Sequence, residues 1–290
     1  MIAVRLWGRL GNQLFQYSFG KSISVEKNED LYFYILEKNI SPETVPLNNF
    51  YLDIKYLKPD ELRHYYKLTG NRFLSRIERK LISIFPLINE NIYIEKTIGY
   101  VDIKRQTASC YDGYWLSYKY FSGMADELRR DLQPKESVII PSNIYNEIVN
   151  NESVAIHIRR GDYLSKTSKS IYWNCGDDYY KGGISYLKNK LKDPVFYIFS
   201  DDIQWVRENF TFLPESQTRF IKHDLQPSDC IDITLMRSCR HNIISNSTFG
   251  WWGAYLGDYK NKIVIAPQKW YRNMPGFLIQ DLIPSEWILM

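Results

Sequence analysis

Cysteine is scarce. There are four in 290 residues, at Cys110, Cys175, Cys230 and Cys239, with no Cys-x-x-Cys pair and no zinc-ligand spacing. That excludes a disulfide-stapled small domain and a zinc ribbon. Cys230 and Cys239 fall in one expected helix, too far apart along it for an unstrained bridge. All four are therefore read as reduced thiols in a reducing compartment. Histidine is equally scarce, at four. No His-Glu-x-x-His, Walker loop or Gly-x-Gly-x-x-Gly is present, so the chain carries no zincin, P-loop or dinucleotide fingerprint. No apolar run is long enough to cross a membrane. Met1 leads straight into a strand-like Ile2–Leu6, so no leader is expected and the expected location is cytoplasmic. An excess of one charge is also lacking. Lys and Arg number 37 against 33 acidic residues, a net +4, too mild for a nucleic-acid surface. Solenoid repeats and low-complexity tracts are absent.

What is present is a globular composition, 44% hydrophobic and 24% charged, in a chain long enough for one large or two medium domains. Aromatics reach 16%, with 23 Tyr and 8 Trp. Flat rings with a polar handle suit sugar-binding clefts, and they also fill cores. The first 36 residues read as β-loop-α-β. Ile2–Leu6 is a strand and Trp7–Gln13 a loop with Gly8 and Gly11. Leu14–Lys27 is a helix with Phe15, Phe19 and Ile23 on one face, and Leu31–Leu36 the next strand. The loop glycines let backbone approach a ligand at a helix N-terminus.

Residues 37–110 carry little pattern beyond Arg72–Phe85. There Phe73, Ile77, Leu81 and Phe85 share a helix face, and Arg72, Arg76, Arg79 and Lys80 supply charge. Such a helix packs on the core with its charges solvated, or lies on an anionic membrane surface. Helices are expected at Gly123–Gln133 and Ser142–Asn150. Strands and helices then alternate: strands Val154–Ile158 and Val195–Phe199, helices Asp202–Phe210 and Cys230–His241, strand Asn242–Ser245, helix Phe249–Gly257, strand Lys262–Ala266. That alternation implies an α/β fold with a parallel sheet. The expected domains are 1–150 and 151–270, with the apolar tail 271–290 packing back on the first.

Three of these segments end in polar groups. In a parallel sheet all three reach one edge, where ligands of open α/β sheets sit. Val154–Ile158 runs into Arg159-Arg160-Gly161-Asp162, and adjacent guanidinium forks suit phosphate oxygens. Phe196–Phe199 runs into Ser200-Asp201-Asp202. This reads as a helix N-cap, as an acceptor for the N–H groups of a base such as guanine, or as a Mg²⁺ or Mn²⁺ site beside a diphosphate. If the arginines neutralise the phosphates, no metal is required. Ile243–Ile244 runs into Ser245-Asn246-Ser247-Thr248-Phe249, where Asn246, Ser247 and Thr248 are capping residues ahead of a helix whose free N–H groups bind phosphate. His157, inside the first of these strands, is a hydrogen-bonded core residue or a ligand contact.

Gly8-Arg9-Leu10-Gly11-Asn12-Gln13-Leu14-Phe15-Gln16-Tyr17, His157-Ile158-Arg159-Arg160-Gly161-Asp162-Tyr163 and Ser245-Asn246-Ser247-Thr248-Phe249-Gly250-Trp251-Trp252-Gly253-Ala254 resemble the motifs of glycosyltransferase family 11, the α-1,2-fucosyltransferases. Asp112-Gly113-Tyr114-Trp115 and Val264-Ile265-Ala266-Pro267 match as well, so the resemblance spans Leu6 to about Trp270. It implies a GT-B fold, two Rossmann-like domains facing across a cleft, with 1–150 on the acceptor side and 151–270 binding GDP-fucose. It implies an inverting, metal-independent galactoside α-1,2-fucosyltransferase with GDP-β-L-fucose as donor and no cofactor. A terminal galactoside of a glycan would be the acceptor, in surface-polysaccharide synthesis of the O-antigen type.

The implied catalytic residues are Arg159 on the β-phosphate, Asn12 near the reaction centre and Asp162 as the base candidate. Donor contacts would be His157 and Asp201 or Asp202 near guanine, with Arg160, Ser200, Asn246, Ser247, Thr248, Phe249, Gly11, Asn12 and Gln13. Acceptor contacts would be Tyr114, Trp115 and Trp251. The acceptor oligosaccharide could be lipid-linked, with peripheral contact at the inner face of the membrane. Two positions depart from the family pattern: Leu116 where Gln is frequent and Gly250 where Ser or Ala is common, both expected on the acceptor side. Two other readings stay open, a different nucleotide-sugar transferase on this scaffold and a non-catalytic carbohydrate-binding protein.

Overall fold

The computed structural model describes residues 1–37, 41–66, 72–85, 89–103, 107–161, 166–213 and 215–290. It contains two compact units, Met1–Asp131 with Gly276–Leu282, and Leu132–Pro275 with Ile283–Met290. The first unit holds β1 (Ile2–Arg5), α1 (Leu10–Lys27), β2 (Leu31–Tyr34), α2 (Pro59–Tyr65), α3 (Arg72–Ile84), β3 (Ile92–Ile94), β4 (Cys110–Asp112) and α4 (Ala125–Asp131). Its four strands are parallel, in the order β2-β1-β4-β3.

The second unit holds α5 (Ser142–Asn150), β5 (Ser153–Ile158), α6 (Lys166–Ile171), α7 (Asp177–Lys190), β6 (Val195–Ser200), α8 (Ile203–Asn209), β7 (Thr218–Phe220), α9 (Ser228–Ser238), β8 (His241–Ile243), α10 (Thr248–Tyr255), β9 (Val264–Ala266) and β10 (Ile288–Leu289). Its six strands are parallel in the order β10-β9-β8-β5-β6-β7. The chain enters at β5 in the middle and winds outward to β6 and β7. It then crosses to β8 and winds the other way. β5 is buried along its whole length, as a central parallel strand covered on both faces must be. Val154, Ile156, Phe196, Ile198, Ile243 and Ile265 form the sheet's contribution to one core, closed by Tyr180, Ile184 and Leu187 of α7 and Val206 of α8.

Several elements differ from the sequence expectation. α1 begins at Leu10, four residues before the expected Leu14. Gly8, at φ +79°, turns the chain sharply enough that the loop needs only Leu6–Arg9. The division between units falls at Asp131/Leu132, not near 150, because α5 packs against α9 and β5. The tail is shared. Gly276–Leu282, with α11 (Ile279–Leu282), belongs to the first unit, and Ile288–Leu289 pairs with β9 in the second. Strands β3, β4 and β7 have three residues each, too few for a period to be visible. The four cysteines are free thiols.

Candidate active site

β5 and β8 are neighbours in the sheet whose following connections run to opposite sides, to β6 and to β9. Loops that part in this way leave a crevice at the carboxyl edge, the usual ligand site of doubly wound sheets. The three polar strand ends meet at that edge. His157, next to last in β5, is 4% exposed. Its Nδ1 lies 2.9 Å from the Ser245 hydroxyl, and its carbonyl accepts from the Ser245 N–H at 3.1 Å. Burial, then the charge of Arg159, pushes its pKa down to about 3. It is a neutral imidazole at any working pH and acts as a fixed hydrogen-bonding group.

Arg159 leaves the strand end 13% exposed, its Nη1 3.1 Å from Asp201 Oδ2. The other Asp201 oxygen accepts the Arg160 N–H at 2.9 Å. Gly161 lies against the same carboxylate, with 2.7 Å between an ideal Cβ and Oδ2. Asp201 therefore grips the whole arginine turn. Arg160 points elsewhere. Its guanidinium carbon stands 3.3 Å from the centre of the Trp205 ring, and Nε lies 3.3 Å from Asp202. Asp202 is also the N-cap of α8, accepting the Trp205 N–H. Ser200 accepts the Asp202 N–H at 3.1 Å and shapes that turn.

At the end of β8, Ser247 caps α10 without using its hydroxyl on the helix, and Thr248 and Phe249 are half-buried at the helix start. Asn246 is different. It is 2% exposed, and its amide donates to the carbonyls of Trp173 and Trp270 at 2.7 and 2.8 Å. It clamps two loops together, so its side chain serves the edge from behind. Among the described residues no three His, Cys, Asp or Glu side chains cluster so as to hold a metal ion.

The family model described as glycosyl transferase family 11 matches residues 89–290. The chain belongs to glycosyltransferase family 11. The alpha-1,2-colitosyltransferase of Escherichia coli is 29% identical, over 99% of this chain and 98% of that one. The O-antigen biosynthesis glycosyltransferase WbnK of Escherichia coli is 28% identical, over 92% of this chain and 93% of that one. Among solved structures, NodZ alpha-1,6-fucosyltransferase soaked with GDP-fucose superposes with a TM-score of 0.51 at 13% identity, covering 88% of this chain and 92% of that one. At that identity the likeness concerns fold. With two parallel-sheet α/β units it gives the GT-B class.

In this family 11 chain the Gly-Asn-Gln motif sits in the first turn of α1, in the first unit. Gly11 and Gln13 are buried there. Gln13 donates to the Gly8 carbonyl at 3.1 Å, and Gln16 holds both the N–H and the carbonyl of Trp7 at 3.0 and 3.3 Å. Asn12 is half-buried, its Nδ2 2.9 Å from an ideal Cβ on Gly8. Gly11 and Gln13 thus build the turn from inside, a correction to their expected place in a ligand-facing loop.

Asp162 lies outside the described residues. Trp115 and Trp251 are fully buried. Trp115 stacks on Phe19 at 4.0 Å and 5°, and Trp251 on Tyr255 at 4.5 Å and 17°. Both are core rings and not an acceptor surface. Leu116 is buried too. Gly250 lies against His157, where an ideal Cβ would stand 2.5 Å from Nδ1. Its lack of a side chain makes room for the imidazole on the second unit's edge. Tyr114 is half-buried, its ring 4.1 Å from that of Trp7.

Two functional candidates escaped sequence reasoning. Ser245 was legible only as part of a motif, with nothing to pair it with His157. Glu95 follows a three-residue strand and carries no pattern. It accepts the Tyr114 N–H at 2.6 Å and the Trp115 N–H at 3.3 Å, and burial, with Asp112 adding to it, raises its pKa to about 7.

Proposed function

We propose that this chain transfers L-fucose from GDP-β-L-fucose, with inversion and without a metal, to the 2-hydroxyl of a terminal galactoside in a surface glycan of the O-antigen type. The observation that carries the reading is Arg159, directed by Asp201 at the carboxyl edge of the central strand, beside neutral His157 and the start of α10. Leaving of the diphosphate builds charge on its β-phosphate. A guanidinium fixed in advance stabilises that charge more in the transition state than in the ground state. Serine, imidazole and Ser200 with Asp202 supply hydrogen-bonding groups for the nucleoside. Attack on the anomeric carbon comes from the face opposite GDP. The acceptor hydroxyl forms the new C–O bond, the bond to phosphate breaks, and the hydroxyl proton leaves to a base, for which Asp162, the residue after Gly161 in the sequence, is the candidate. Asn12 is a further candidate at the reaction centre.

A second donor has a specific observation behind it, the 29% identity to a colitosyltransferase along nearly the whole chain. Colitose is L-fucose without its 3-hydroxyl. GDP release from GDP-fucose and from GDP-colitose, each with and without lactose in excess EDTA, separates the readings. Acceptor-dependent release from GDP-fucose supports ours, and release from GDP-colitose alone moves the donor. Turnover only with UDP-sugars, or saccharide binding without turnover of any donor, rejects it.

The acceptor's lipid anchor and cytoplasmic placement belong to the same reading. No helix among the described residues is long and apolar enough to cross a membrane. α3 and the residue after it leave Ile77, Leu81, Ile84 and Phe85 exposed beside Lys80, a stripe that suits an anionic membrane surface. Cosedimentation with phosphatidylglycerol vesicles at low salt, lost with Leu81→Glu, tests this. Indifference to such vesicles rejects it.

A further inference from the structure

Ser245 and Gly250 flank one imidazole. His157 lies in β5, Ser245 follows β8 and Gly250 is in the first turn of α10, so three elements meet at a single ring. The meeting is close. An ideal Cβ on Gly250 would stand 2.5 Å from Nδ1, 2.8 Å from Cγ and 3.1 Å from Cβ of His157. Gly250 is helical and has no positive φ, so any residue could take its backbone conformation. Space alone requires glycine there. The Phe249 ring lies 5.7 Å from the imidazole, tilted by 45°, and the Tyr180 hydroxyl donates to the His157 carbonyl at 3.5 Å. The ring has little room to shift.

The hydrogen bond between His157 and Ser245 also has a direction. Ser245 is 1% exposed. Among the described residues, the partner of its hydroxyl is Nδ1, at 2.9 Å. If Nδ1 carried the ring proton, it would donate to the hydroxyl oxygen. The hydroxyl's own proton would then be buried without an acceptor, which is costly. If instead the hydroxyl donates to Nδ1, both groups are satisfied, and the ring proton sits on Nε2. Burial, then the charge of Arg159, keeps the imidazole neutral, so one nitrogen alone is protonated. Nε2 has no protein partner among the described residues. Its N–H is a spare donor in the strand that delivers Arg159.

We propose that Ser245 and Gly250 are positioning residues for the nucleotide. Gly250 admits the imidazole to its seat, and the Ser245 hydroxyl, donating to Nδ1, holds the ring as an Nε2–H donor toward an acceptor atom of the nucleoside diphosphate. Both act through His157. This assignment rests on the nucleotide-donor reading above and extends it to residues behind the ligand contact.

Two measurements test it. In protein labelled with ¹⁵N-histidine, long-range ¹H–¹⁵N correlations report the tautomer of each ring. The signal lost in His157→Asn identifies His157 among the four histidines. The wild type should carry the proton on Nε2, and Ser245→Ala should mix the two tautomers. A proton on Nδ1 in the wild type, or an unchanged tautomer in Ser245→Ala, overturns the proposal. The second measurement is calorimetry with GDP. Ser245→Ala and Gly250→Ala should each weaken binding by about tenfold, the loss of one hydrogen bond. In a His157→Asn background neither should weaken it by more than about twofold further, because the ring they act through is gone. Equal losses with and without the imidazole overturn the proposal, since a role in the fold alone gives that pattern. Where Gly250→Ala fails to fold, the Ser245→Ala cycle and the spectra decide. If the wild type binds UDP or ADP and not GDP, the guanine-donor reading has failed by itself, and the cycle is read with that nucleotide. Binding of no nucleoside diphosphate rejects both, whereas GDP binding with additive losses rejects the positioning role and leaves the donor reading standing.

Discussion

Arg159 and Arg160 are adjacent in sequence and opposite in surroundings. Arg159 stays at the strand end against Asp201, while Arg160 is stacked on Trp205 and tied to Asp202. Replacing Arg159 by Ala should lower kcat roughly 10²–10³-fold, the usual loss for one preorganised charge-stabilising group. Arg160→Ala should cost less in kcat and show as a lower melting temperature, since it removes a stacked brace. Equal losses in kcat would reject this division of roles. His157 gives a prediction about acid. Its ordinary pKa of 6.5 falls to about 3 in the folded chain, so the unfolded chain takes up a proton that the folded one refuses. The stability it contributes is complete above about 6.5 and is lost as pH falls toward 3. The melting temperature of the wild type should therefore drop more between pH 7 and 5 than that of His157→Gln. Parallel curves would show that the imidazole is not buried as described. The arginine pair and the histidine were legible in the sequence as a strand end. Which arginine faces the ligand edge was not, because that depends on Trp205 and Asp201, over forty residues away in the chain.

At the scale of elements, the strand ends carry the chemistry because parallel strands bury both faces and leave only their termini for polar groups. β5, β6 and β9 were legible as apolar runs, and α1 as a helical stripe. The start of α1 was not. It is set by a buried amide, Gln16, whose partners are backbone groups of Trp7, and by a positive φ at Gly8. Gln16→Leu keeps the volume and removes both bonds. It should cost about 1–3 kcal/mol in urea denaturation, as unpaired buried polar groups do. A change under half that range would mean the turn holds itself. The short strands of the first sheet escaped the sequence reading for a simple reason. Three residues do not make a period, and their register comes from β1 through β4.

At the scale of the whole molecule, the tail serves both units. Asp281 accepts from Lys119 at 2.6 Å and from the Tyr100 N–H at 3.1 Å in the first unit, and Met290 pairs its backbone with Ala266 and Gln268 in the second. Removing residues 283–290 should raise amide exchange at β9 and Gln268 alone. Removing 276–290 should raise it at Tyr100 and residues 117–120 as well. Exchange confined to the second unit in both deletions would contradict the shared tail. The family 11 membership and the parallel α/β class were written in local motifs and alternation, which any stretch of ten to fifteen residues can display. The boundary at Asp131/Leu132, the burial of Trp115 and Trp251, and the meeting of Glu95 with Tyr114 were decided by tertiary structure. They arise from contacts between segments distant in sequence, and a linear pattern of apolar and polar residues does not encode which distant partner will exclude the water.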